Sequence, residues 1–165
     1  MNHTGNTDII RFEIELDANT FGWAELRVTG GDRRIRATCS NVIDSLGDLV
    51  RGFAAIVPDG GKFAVETDTE DQGGCLFTFR RVDEQIEVVA KRYLSSWDTD
   101  AATDKARHTK ARFRAGGCFA STLASVVSAF ASLLDMHGEE GYRRSWGREF
   151  PRAEFEHLRS ACSQQ

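Results

Sequence analysis

Cys118 is the residue whose setting most suggests a reactive group. It follows Gly116-Gly117 at the start of an apolar stretch with helical spacing, downstream of Arg112 and Arg114. A helix N-terminus and nearby guanidinium groups both lower a thiol pKa. A nucleophile also needs a base and an orienting group. The sequence offers only His108 or His137, at no recognisable spacing, and a small buried thiol is the simpler reading. Asp98, Asp100 and Asp104 resemble part of a calcium loop. The pattern fails, because Ala102, Thr103 and Thr109 stand where an EF-hand needs a ligand, a glycine and a glutamate. That segment is expected to be a solvated loop, as is the acidic run Glu66–Asp71. The cysteines Cys39, Cys75, Cys118 and Cys162 and the histidines His3, His108, His137 and His157 lack the short spacing of a zinc site. No Gly-x-Ser-x-Gly elbow, phosphate-binding loop or dinucleotide fingerprint is present. No catalytic residue, metal or cofactor is expected, with Cys118 the single candidate for a reactive thiol.

A second kind of chemistry is recognition by charge. Period-two segments place Arg11, Arg27, Arg34, Arg36, Arg80, Lys91, Lys110, Arg112 and Arg114 on the polar side of strands, together with Trp23 and Tyr93. Cations beside aromatics could stack single-stranded RNA. The same side shows Glu13, Glu15, Glu25, Glu66, Asp68 and Glu87, so cross-strand pairing should neutralise much of the charge. Arginine with tryptophan and tyrosine is also what protein interfaces favour. From Lys105 to Arg114 the chain holds five cations and no acid. Such a strip could steer an acidic partner or protect a sheet edge from aggregation. The candidate partner-binding residues are Trp23, Arg34, Arg36, Tyr93, His108, Lys110, Arg112 and Arg114.

The elements that must position these residues follow from periodicity. Ile9–Leu16, Phe21–Val28 and Arg33–Cys39 alternate as strands, with a hairpin at Gly30-Gly31-Asp32. From Val42 to Val57 the apolar spacing is helical, capped by Ser40 or Asn41 and ended by Pro58-Asp59-Gly60-Gly61. Further strands are expected around Phe63 and Val65, from Cys75 to Phe79, from Ile86 to Ala90 and from Ala106 to Arg114, the last broken by Gly116-Gly117. A second long helix runs from Phe119 to a stop at His137-Gly138. A short helical piece with Tyr142 and Trp146 follows, then a last helix with Pro151 at its first position. Residues 1–7 are read as frayed. The expected fold is α+β: one domain over residues 1–165, a mostly antiparallel sheet of about seven strands, two long helices on one face and a short C-terminal helix.

Composition agrees with a globular domain. Hydrophobic residues make up 41% and charged residues 28%, and the net charge of −4 argues against a protein that coats DNA. No apolar run is read as reaching the ~20 residues of a spanning helix. The start of the chain lacks the basic and apolar regions of a signal peptide. A cytoplasmic location with reduced, unpaired cysteines is expected.

Phe21-Gly22-Trp23, Leu46-Gly47-Asp48-Leu49, the run Arg112-Phe113-Arg114-Ala115-Gly116-Gly117, and the tail residues Tyr142, Trp146, Phe150-Pro151 and Leu158 resemble small uncharacterised bacterial α+β domains. Some of these are suspected immunity proteins of toxin loci. The resemblance implies a non-catalytic, cytoplasmic, protein-binding role and brings no catalytic residues with it. The leading expectation is therefore a protein-binding domain of immunity type, with a protein partner and with homo-oligomerisation open. Nucleic acid and membrane partners are not expected. The alternatives are a ligand-binding domain or small enzyme with a pocket between sheet and helices near Cys118 or His108, and single-stranded nucleic-acid binding.

Overall fold

The computed structural model describes residues 9–68, 73–93 and 110–164. Strands β1 (Ile10–Leu16), β2 (Trp23–Gly30) and β3 (Arg33–Ser40) form an antiparallel sheet in that order. Their alternation buries Phe12, Leu26, Val28, Ile35 and Cys39 on one side and leaves the polar residues on the other. Gly30 pairs with Arg33 around the tight Gly31-Asp32 turn, where Gly31 takes a φ of 60°. Helix α1 (Ser45–Ile56) leads to a second antiparallel sheet of β4 (Gly61–Asp68), β5 (Gly74–Val82), β6 (Gln85–Tyr93) and β7 (Phe113–Cys118). Helices α2 (Phe119–Trp146) and α3 (Arg152–Ser163) complete the described chain.

The α+β class and the antiparallel pairing agree with expectation, but the single seven-stranded sheet is corrected. The strands divide into sheets of three and four. Alternation tells which residues face the core. It does not tell which strands are neighbours, and α1 stands between β3 and β4. The inner faces of the two sheets share one core instead. The Phe12 ring of β1 lies 6.2 Å from Phe79 of β5 and 6.0 Å from Phe53 of α1. Gly30 lies directly against Ala115 of β7, where any Cβ would overlap it.

The helices do not simply cover one face. Each long helix also serves a sheet edge, where strand backbone lacks a neighbouring strand. The Phe12 N–H of edge strand β1 donates to Ser125 Oγ on α2 at 2.9 Å. Ser45 Oγ of α1 donates to the Glu66 carbonyl of edge strand β4 at 2.6 Å. At the other end of α1, Arg81 donates to the Ile56 and Val57 carbonyls and lays its guanidinium 3.9 Å from the centre of the Phe119 ring. Both ends of α1 are thereby tied to the second sheet.

Three boundaries differ from the sequence expectation. Helix α1 begins at Ser45 with Asp44 as its cap, not at Val42 with Ser40 or Asn41. Ser40 is still within β3, the Asn41 N–H donates to the Gly22 carbonyl, and Val42 is 54% exposed. Strand β7 includes Gly116 and Gly117 instead of ending before them; they pair with Glu87 and Ile86 through backbone alone. Pro151 caps α3 from outside rather than opening it. The stop predicted at His137-Gly138 is matched: Gly138 (φ 65°, ψ 173°) is non-helical and divides α2 into a long helix and the short helical piece that carries Tyr142 and Trp146. An 18-residue stretch of α2 has a mean hydropathy of 1.5, so by length and composition alone it could cross a bilayer, contrary to the sequence expectation. Phe119, Leu123, Val126, Phe130 and Leu133 of that helix lie in the core.

Candidate functional site

The solvent face of the β1–β3 sheet is a lattice of charge set by register. One row is Arg11–Thr29–Arg34, the next Glu13–Arg27–Arg36, the next Glu15–Glu25–Thr38, and Trp23 pairs with Ser40 beyond them. Arg27, in the middle strand, donates to Glu15 at 2.8 Å, to Glu13 at 3.3 Å and to Glu25 through Nε. These carboxylates, Glu25 foremost, hold its pKa above the usual value. Arg36 pairs with the second oxygen of Glu25 at 3.3 Å. The charges at the centre of the face are therefore paired with one another, with one carboxylate in excess. Arg11 and Arg34 at one end are exposed and make no ion pair among the described residues.

At the Trp23 end three connections are bolted together. The Gly22 N–H donates to the Ser145 carbonyl at 2.7 Å, and the Asn41 N–H donates to the Gly22 carbonyl at 2.8 Å. The Arg148 guanidinium donates to the Asn41 and Val42 carbonyls. On this platform stand two exposed apolar residues, Phe21 at 65% and Val42 at 54%. The Phe21 ring lies over Gly147, whose left-handed conformation (φ 80°) ends α2. Beneath the platform Asp44 accepts from the Trp146 indole at 2.9 Å, from the Gly47 N–H and from Arg51 at 3.0 Å. The nearby Tyr142 hydroxyl is buried and makes no hydrogen bond, and burial first, then Asp44, pushes its pKa up.

Among the sequence candidates, Trp23, Arg34 and Arg36 share this face. Lys110, Arg112 and Arg114 belong to the other sheet, exposed along and just before β7. The Arg112 N–H continues the ladder to the Ala90 carbonyl at 2.9 Å, and Arg114 pairs with Glu87. Phe113 and Ala115 point to the core, as the parity predicts. Tyr93 is corrected. It was expected on the exposed side, yet it is 6% exposed, packs with Leu76 and directs its hydroxyl to the Thr67 carbonyl at 3.3 Å. The Asp98–Asp104 loop, His108, residues 1–7 and the end of the acidic run lie outside the described residues. Sequence reasoning missed Phe21 and Val42, which were assigned to a strand and a helix. It also missed Asp44, whose signal was an aspartate, a favoured cap residue, directly before the helical run that opens at Ser45-Leu46.

Cys118 caps α2 and is partly exposed on the polar side of β7. The Ser121 N–H above all, with the Ser121 hydroxyl and the Ala120 N–H, lowers its thiol pKa against a smaller effect of burial. The other thiols are raised, Cys39 to about 12, by burial. Among the described residues no three metal-ligating side chains come together. An open cleft of about 510 Å³ lies by the end of α3, lined by residues including Val127, Glu156, Arg159 and Cys162, away from the charged face. No family model, curated protein or solved structure matches the chain.

Proposed function

We propose that the chain is a non-catalytic protein-binding domain of the immunity-protein kind, with the solvent face of β1–β3 as its recognition surface. One observation carries this reading: a fixed charge lattice, with Arg27 held by three carboxylates, lies beside a half-exposed Trp23. Fixed side chains lose little conformational freedom on docking. Arginine and tryptophan are also the residues that dominate interface energetics. Lys110, Arg112 and Arg114 on the second sheet form a further basic strip that steers an acidic partner. The four unpaired thiols fit a reducing, cytoplasmic setting.

The test uses defined probes, the proteins encoded in the neighbouring reading frames, each titrated into the purified chain by calorimetry. Saturable binding of one of them is expected, weakened at least tenfold in the Arg34→Glu/Arg36→Glu double variant. If none binds, or if the variant binds as tightly as the parent, the reading is wrong.

A further inference from the structure

We infer that the β1–β3 face recognises its partner at two ends, by acidic side chains at Arg11 and Arg34 and by an apolar side chain at Phe21 and Val42. This rests on the protein-binding reading above and specifies the chemistry of the partner. Both guanidinium groups in the middle of the face are already paired. Glu13, Glu15 and Glu25 already hold Arg27, and Glu25 also holds Arg36. A new ion there would have to displace an existing one. The ends differ. Arg11 and Arg34 sit in one row with only Thr29 between them, two strand spacings or about 10 Å apart. Both are exposed and lack a carboxylate among the described residues. Two unneutralised guanidinium groups at that separation are complementary to a pair of carboxylates.

The opposite end is apolar, and it is rigid. Phe21 and Val42 flank β2 and β3 where the strands leave the sheet, and they are among the few large apolar side chains exposed in the described chain. Five hydrogen bonds from Gly22, Asn41 and Arg148 fix the backbone that presents them. An exposed aromatic on a fixed backbone is already ordered before it docks, as an interface anchor should be. From the Arg11–Arg34 row to Trp23 is six residues of β2, about 20 Å, and Phe21 follows across the turn at Gly22 (φ 79°). The partner must therefore span about 20 Å between its acidic and its apolar contacts. A nucleic acid fits less well. Its phosphates would meet Arg11 and Arg34, but its backbone would then cross Glu13, Glu15 and Glu25.

The probe is a phage-displayed library of random peptides selected on the immobilised chain, with oligo(U) titrated in parallel. The expected selection pairs aspartate or glutamate with an aromatic or aliphatic residue about six positions away, the extended length of the face. Synthetic versions should bind at least tenfold more weakly to Arg11→Glu/Arg34→Glu and to Phe21→Ser, and unchanged to Lys62→Glu, an exposed residue of β4 outside the face. Circular dichroism of each variant checks that the fold is intact. Peptides that lack this pattern, or that bind all variants alike, overturn the inference. If they depend on Arg36 or Lys110 and not on the two ends, protein binding stands while two-ended recognition fails. Oligo(U) binding that is tighter than peptide binding and is lost in the same variants overturns both in favour of nucleic acid.

Discussion

Replacing Gly52 by alanine sets two principles against each other. Gly52 is interior to α1, where alanine is favoured over glycine by about 1 kcal/mol through helix propensity alone. A Cβ at this position, however, would run into the Phe63 ring, with the ring Cγ only 2.6 Å away. The ring has little freedom to yield. It stacks on Phe79 at 4.5 Å and meets Phe53 edge-on at 5.2 Å. The helix cannot slide either, because Ser45 ties its start to β4 and Arg81 ties its end to β5. Overpacking of this kind costs about 1–3 kcal/mol. The net expectation for Gly52→Ala is a loss of up to about 2 kcal/mol, the cost less the propensity gain, read as a lower urea midpoint at constant slope. The same substitution in a Phe63→Ala background should reverse sign and stabilise by about 0.5–1 kcal/mol, since the obstruction is gone. If Gly52→Ala stabilises the parent chain, or has the same sign in both backgrounds, the close packing of α1 on β4 is refuted.

Asp44→Ala removes a helix cap, the partner of the Trp146 indole and an Arg51 ion pair together. A loss of about 2–4 kcal/mol in chemical denaturation is expected, more than a cap alone is worth. Arg81→Met takes the side-chain donor from the Val57 carbonyl and leaves Ile56 only the Gly60 N–H, and a loss of about 1–3 kcal/mol should appear in the same assay. Cys39 gives a pH signature. Its thiol titrates near 9 when unfolded and near 12 when folded, so the stability it confers is complete below pH 9 and is lost as pH rises towards 12. Relative to Cys39→Ala, the parent should lose about 1.4 kcal/mol per pH unit above pH 9, measured from urea midpoints at pH 8, 9.5 and 10.5; parallel curves would refute the assignment. At pH 8 iodoacetamide should modify Cys118 first, with Cys39 and Cys75 reacting only on unfolding, as peptide mass spectrometry would show.

What could be read from the sequence was whatever a two-residue or 3.6-residue period records. Phe12, Leu26 and Ile35 point inward because their neighbours Arg11, Arg27 and Arg34 are charged, and the structure keeps that parity in both sheets. Period is silent on what happens between elements. Nothing in the alternation of β3 and β4 says that they belong to different sheets, because either arrangement buries the same residues. Tyr93 shows the same limit at one position. Its parity assigns it to the polar side, but Gly74 lets the ring lie close to the Thr67 backbone, and burial follows from that neighbour. Val42 errs in the opposite sense: it fits the helical apolar spacing, yet Asp44 starts the helix after it. Both misreadings occur at strand ends, where a side chain's surroundings come from connections distant in sequence. The apolar half of the proposed recognition surface is built from such an end, with Phe21, Val42 and Gly147 drawn together from three separate loops. The charged half lies on three consecutive strands joined by tight turns. That is why its arginines were visible in the sequence while the apolar anchor was not, and why a partner that touches only the arginines would leave the platform's hydrogen bonds without a functional explanation.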